Sequence, residues 1–425
     1  MAVKVVEVDL TQTFPSLRDT DIKHYSHIQL LVRWNKYPVG YAWIDARSKR
    51  FLEEDYLKFE IERQLFHELE RHKLKLRLSG ALPSNSLADL PTLTVAVCTR
   101  NRPESLRKAL RSLVELDYPP EKLDLLVVDN APPDDATKLV VAEFPVIRYA
   151  VEPRPGLDWA RNCAIEFARG QIIAYTDDDT KADRYWAQNL ASHFANPKVG
   201  CVTGLVVPAE RETDAQNLFE EYNNGFGKGF ESHYYTLGVR KHWSYFPLGA
   251  GNFGTGCNMA YRKEIFSKVG SFDVALDVGT PTHGAGDLDM FYRVVRAGYI
   301  LVYEPAAIIH HYHRPDYQKL KQQIHDFGRG VYAFWTKTFL SDPEMRWPAL
   351  KLAMIWYGQG YLRKLLKRKG SHRRLALIEA YGALVGPFAY FEARKVARKL
   401  SRQKVNATLN QPETADLLLM SSSEK

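Results

Sequence analysis

Four cysteines, Cys98, Cys163, Cys201 and Cys257, are all that 425 residues contain, and they lie far apart without metal-ligand spacing. That scarcity argues against a disulfide framework or zinc site, and for a reducing compartment. The chain opens without a basic-then-apolar leader, so its working part is expected in the cytosol. Also missing is a clean apolar run of the ~20 residues that a membrane-spanning helix needs. The segments 347–362 and 375–391 are apolar but short, and Lys351, Glu379, Gly386 and Pro387 interrupt them. Disorder throughout is excluded by a hydrophobic content of 45%. The length exceeds what one core usually holds, which predicts two or three units.

What the chain has in excess is positive charge, a net +8 concentrated in residues 361–374 and 392–404. Such clusters imply a polyanionic partner, either an anionic membrane surface or nucleic acid.

Residues 1–20 read as a flexible lead. Two strands are predicted within 27–44 around Asn35-Lys36, then an amphipathic helix over 54–76, giving a small α+β unit at 1–78 with no chemistry attached. A linker rich in Ser, Pro and Gly covers 79–92. From Leu93 the pattern changes. Apolar β-branched runs at 93–98, 123–128, 146–151 and 171–176 alternate with helical stretches at 105–115, 136–143 and 157–169. This is the pattern of a parallel sheet wound with helices. Ligands of such sheets bind at the carboxyl ends of the strands. There stand Thr99–Arg102, Asp129 and the triplet Asp177-Asp178-Asp179.

Adjacent carboxylates repel one another and resist desolvation, so the triplet suits a hard divalent cation that bridges to phosphate; a solvated acidic turn is the plain alternative. Asp129 can accept a hydrogen bond from a nucleobase edge, or simply cap a turn. Arg161 can neutralise a diphosphate, or sit in an ion pair. Thr99 offers a hydroxyl for base or ribose. The glycine-dense stretch 248–262 allows close approach to a ligand, or is an irregular connection. Asp287 and Asp289 open a helical pattern, where capping alone could explain both; the functional reading makes Asp287 a general base. His310, His311 and His313 follow a strand-like run and point to metal or phosphate contact, with one of them structural.

Together the blocks CTRNRPESL, VVDN, WARNCAI, AYTDDDT, GTGCNMAYRKEIF, GDLDMFYRV and IHHYHR resemble a family 2 glycosyltransferase of the GT-A fold, of the bacterial polysaccharide or glycolipid type, over residues 93–335. The resemblance implies a Rossmann-like mixed sheet wound with helices, here a catalytic domain at 93–315. It implies inverting transfer of a sugar from a nucleotide-diphosphate donor to a hydroxyl of a glycan or lipid-linked acceptor, with Mg²⁺ or Mn²⁺. Thr99, Arg100, Arg102, Asp129, Arg161, Asp177 and Asp178 would bind the nucleotide-sugar. Asp179 and His311 would hold the metal, and Asp287 would be the base. Two departures stand out. Gly286-Asp287 replaces the usual Glu-Asp, with Asp289 as a substitute base. Cys98-Thr99-Arg100 replaces Pro-Thr-Tyr, so Arg100 takes the place of an aromatic contact to the base.

Residues 316–404 are expected to be helical and basic, lying peripherally on the cytoplasmic face of a membrane or packing on the core. A disordered tail is expected at 405–425. A nucleotidyltransferase is disfavoured because the loop after the first strand lacks glycine. A non-enzymatic nucleotide- or nucleic-acid-binding protein is the other alternative, although no nucleic-acid module is recognisable.

Overall fold

The computed structural model describes residues 2–14, 17–47, 51–78, 89–237, 245–403 and 408–410. Most of the linker, residues 238–244 and nearly all of the tail lie outside these.

The alternating runs form a ten-stranded mixed sheet. Its path runs 180–182, 300–311, 199–208, 259–262, 172–177, 93–99, 123–130, 147–152, 408–410, with His233–Tyr235 added against 300–311. Strands 172–177, 93–99, 123–130 and 147–152 are parallel, and 259–262 runs against its neighbours. Their sequences are apolar throughout because both faces are covered. Ala96, Cys98, Leu126, Val128, Ile173 and Tyr175 point into one core, while Val95, Val97, Leu125, Val127, Ile172 and Ala174 point into the other.

The first twenty residues are not a loose lead. Val3–Asp9 pairs in parallel with His27–Trp34, which forms a hairpin with Tyr37–Asp45. The turn residues Asn35 and Lys36 both take positive φ, as a two-residue hairpin requires. Val3, Val5, Val6 and Val8 are β-branched strand formers, a local signal that the reading of 1–20 as a lead did not use. The kinked helix Glu54–Leu78 covers the sheet. This unit leans on the main sheet through Arg33, which pairs with Glu7 and, at 2.8 Å, with Asp183. Of the expected tail, Thr408–Asn410 is a strand that closes the sheet edge beside 147–152.

Beyond the sheet, within the helical region expected at 316–404, Tyr317–Ser341 forms one long helix. Pro387 does not break its segment. It lies inside a 32-residue helix, Gly370–Ser401, because packing on the neighbouring helix outweighs one lost backbone bond. The two helices touch at backbone distance. A Cβ on Gly328 would run into the carbonyl of Glu379, and one on Gly382 into that of His325. On the other side of the first helix, a Cβ on Gly330 would lie 3.0 Å from the backbone of Gly284.

Candidate active site

Strand register assembles the site. Thr99 is paired with Asp129, and Cys98 with Asp177, so these groups emerge from adjacent strand ends. Asp178 and Asp179 form the tight turn between 172–177 and 180–182. Thr180 pins the turn by donating its hydroxyl to the Asp177 carbonyl at 2.8 Å. Thr180 pairs in turn with His311 at the end of 300–311. His311 Nε2 therefore lies 3.3 Å from Asp179 Oδ1.

Each carboxylate of the triplet has a different environment. Asp178 is buried, accepts from the Thr99 hydroxyl at 2.6 Å, and takes Arg102 at 3.0 Å. The same guanidinium nitrogen reaches Asp179, also at 3.0 Å. Burial, then the charges of Asp179 and Asp178, push the Asp177 carboxyl up to about 7. Burial brings His311 down to about 4 against the pull of Asp179, so the imidazole is neutral at physiological pH. Its Nδ1 is buried without a hydrogen-bond partner. Asp177, Cys257 and His311 bring one donor atom each within 4.8 Å of one another. Excess negative charge, a neutral imidazole and carboxylate oxygens are a donor set that suits a divalent cation.

Asp129 is fully buried. Its Oδ2 accepts from the Tyr149 hydroxyl at 2.8 Å, its Oδ1 has no partner, and burial raises its pKa. Arg100 is exposed at the rim. Arg161 lies deeper than its sequence role suggested. It is buried between Asp277 and Asp158, the latter at 2.9 Å. Its counter-charges come from within the protein.

Asp287 opens the helix Gly286–Arg296. Burial and the charge of Asp277 raise its pKa, with Arg161 opposing. Gly256 stands directly against it. A Cβ there would come within 3.3 Å of Asp287 Oδ2 and 2.7 Å of an Arg161 nitrogen. The next residue, Cys257, belongs to the Asp177–His311 group, so base candidate and cation candidate are neighbours. Gly286 also has a physical reason. A Cβ there would collide with the Asp158 carboxylate, leaving no room for a glutamate. Asp289 cannot substitute for Asp287. It is buried against Lys337 at 2.6 Å and Arg293 at 2.8 Å. Although burial pushes the other way, these two cations hold its carboxyl below the usual range.

The histidines divide as well. His313 pairs with Glu220 at 2.6 Å and His310 lies 3.4 Å from Glu7, which leaves His311 to the site. Sequence reasoning missed Cys257, Asp158, Asp277 and Lys228. Only Cys257 carried a signal, its place inside the glycine block. Lys228 is partly buried, and burial lowers its pKa while Asp287 and Cys257 draw it up. It sits on the segment 224–232, which the N-terminal unit braces through Tyr41 against Phe230 and Arg71 to Glu231 at 2.6 Å. On the same segment Phe226 packs edge-on against His311.

The family model described as glycosyl transferase family 2 matches residues 94–270. Glycosyltransferase AglE of Haloferax volcanii is 27% identical over 253 residues, 58% of this chain and 75% of that one. The pre-mycofactocin glycosyltransferase of Mycobacterium tuberculosis is 24% identical over 226 residues, and the match spans 52% of this chain but 43% of the relative. A solved mannosyltransferase of Pyrobaculum calidifontis, in complex with GDP-Man and Mn²⁺, aligns over 75% of this chain and 89% of its own at 17% identity, with a TM-score of 0.46.

Proposed function

Because residues 94–270 form a family 2 glycosyltransferase domain of GT-A type, we propose that this protein transfers a sugar from a nucleotide-diphosphate donor to an acceptor hydroxyl with inversion. The observation that carries the reading is the meeting of three strand ends with the start of helix 286–296. Asp177, Cys257 and His311 gather within 4.8 Å of one another, Asp179 lies 3.3 Å from His311, and Gly256, next to Cys257, stands against Asp287.

In this reading Asp129 receives a donor hydrogen of the base on its unpartnered Oδ1, and Thr99 and Arg102 orient Asp178 and Asp179. Arg100 and Arg102 face the nucleotide from the rim. Arg161 acts from beneath the site, setting the charge balance of Asp177 and Asp287 through Asp277. Asp177, Asp179 and His311 would hold Mg²⁺ or Mn²⁺, with Cys257 adjoining. When bound, the ion supplies positive charge that steadies the departing diphosphate. Asp287 takes the proton of the acceptor hydroxyl as that oxygen bonds to the anomeric carbon. The bond from that carbon to the diphosphate oxygen breaks on the opposite face, and the electron pair leaves with the nucleotide. The donor points to a cytoplasmic setting, and the acceptor is a glycan or a lipid-linked sugar.

A thermal-shift panel of UDP-, GDP-, dTDP- and CMP-linked sugars, each with and without Mn²⁺, tests the reading. Stabilisation by one nucleotide class, dependent on metal, is expected by mass action. No shift with any donor, against a working control, refutes it.

A further inference from the structure

Among the described residues no helix is long and apolar enough to cross a membrane, yet the C-terminal helices leave large apolar side chains in solvent. On Gly370–Ser401 these are Leu377, Tyr381, Leu384, Phe388 and Phe391. Their spacing of four, three, four and three places them on a single face of the helix. The opposite face is spent on Gly382, Ala383, Gly386 and Ala389, which pack inward. Phe388 is 75% exposed. The preceding segment also leaves Trp347, Met354, Leu362 and Leu366 exposed. Lys364 ties that segment to the long helix through the buried Glu379, at 2.7 Å.

The charges say what covers this face. Residues 346–403 hold 14 lysines and arginines against Glu379 and Glu392, a net +12 within a chain whose total is +8. By helical spacing Arg373 and Arg374 lie at one end of the apolar stripe and Lys395 and Arg398 at the other, all four exposed. A second copy laid on the stripe, parallel or antiparallel, would bring these ends cation against cation. An anionic lipid surface satisfies both parts, with apolar side chains below the headgroups and long basic ones among them.

We propose that the stripe Leu377–Phe391, with its basic ends, is a docking surface for an anionic bilayer, on which helix 370–401 lies flat. The stripe also borders an open cavity of about 530 Å³, between Phe388, Arg329 and the loop 279–283. That loop leads directly into the helix of Asp287, so docking places the lipid surface beside the acceptor side of the site.

The test is co-sedimentation of the full chain with phosphatidylcholine vesicles, with and without phosphatidylglycerol. Light scattering of the free protein and a nucleotide thermal shift run alongside. Wild type should pellet with the anionic vesicles. Replacing Arg373, Arg374, Lys395 and Arg398 by Gln should weaken partition by roughly 10-fold or more. Phe388→Ser should weaken it on anionic vesicles without changing the salt dependence. Both variants alter exposed positions and should keep the nucleotide-induced shift, which separates this test from that of the transfer reaction. Equal pelleting of the Gln variant would overturn the proposal. So would no pelleting of wild type, or a dimer that Phe388→Ser dissociates while vesicle binding is unchanged.

Discussion

Asp287 and Asp289 stand two residues apart on one helix, and replacing each by Asn should have opposite consequences. Asp289→Asn removes a buried charge that Lys337 and Arg293 both contact. Breaking such a pair costs roughly 3–5 kcal/mol. The low end applies, because Arg293 also donates to the carbonyls of Val269, Gly270 and Ser271 and Lys337 retains Asp273 at 3.3 Å. At about 3 kcal/mol, a domain of this size should lose roughly 6–12 °C of Tm. Turnover by the remaining folded enzyme should change little. Asp287→Asn removes a carboxylate that burial and Asp277 already disfavour in its charged form, so Tm should hold or rise slightly. Loss of a positioned base should lower kcat by about 10²–10⁴-fold, or about 3–5 kcal/mol of barrier, with donor KM kept. Scanning calorimetry and steady-state kinetics on both variants decide the matter. Full activity in Asp287→Asn, or a dead but fully stable Asp289→Asn, would refute the assignment.

Asp179→Ala should abolish the Mn²⁺ dependence of nucleotide binding measured by titration calorimetry; an unchanged isotherm would remove Asp179 from the cation site. The raised pKa of Asp287 means that its proton-accepting form is lost as pH falls through a value above the ordinary ~3.9 of aspartate. The acid limb of kcat/KM should therefore lie above that value, and a limb at or below it would count against the base. Asp289 works in the reverse sense. Its depressed pKa contributes stability that is complete above the unfolded value and lost as pH falls through the folded one. The acid decline of Tm should be shallower in Asp289→Asn.

How far the sequence could be read depended on whether a signal was local. The four parallel strands were legible because burial on both faces leaves an uninterrupted apolar run, and the hairpin at Asn35-Lys36 because turn chemistry is local. Thr99, Asp129, Asp177–Asp179 and His311 were legible as strand-end residues, and register alone brings them together. Long-range packing was hidden. Nothing near Arg161 announces Asp277, 116 residues away, and nothing in Asp-Leu-Asp separates a carboxylate on the site from one sunk beside Lys337. The explanation of Gly286 is likewise tertiary, since the atom it avoids belongs to Asp158 on another helix. Pro387 misled for the same reason, its cost being outweighed by contacts with a distant segment.

The glycines of the C-terminal helices have a consequence for which acceptors can be served. Gly328 meets helix 370–401 on one side of helix 317–341, and Gly330 meets the loop leading to Asp287 on the other. At these two glycines backbone meets backbone, which leaves little slack there to compress or extend. If helix 370–401 docks as proposed, the height of Asp287 above a lipid surface would then be a fixed dimension of the protein. An acceptor would be chosen by stature as well as by chemistry. On that proposal a sugar whose hydroxyl stands at that height would be glycosylated, and the lengthened product, its new terminus one residue too tall, would not. The enzyme would add one sugar and stop.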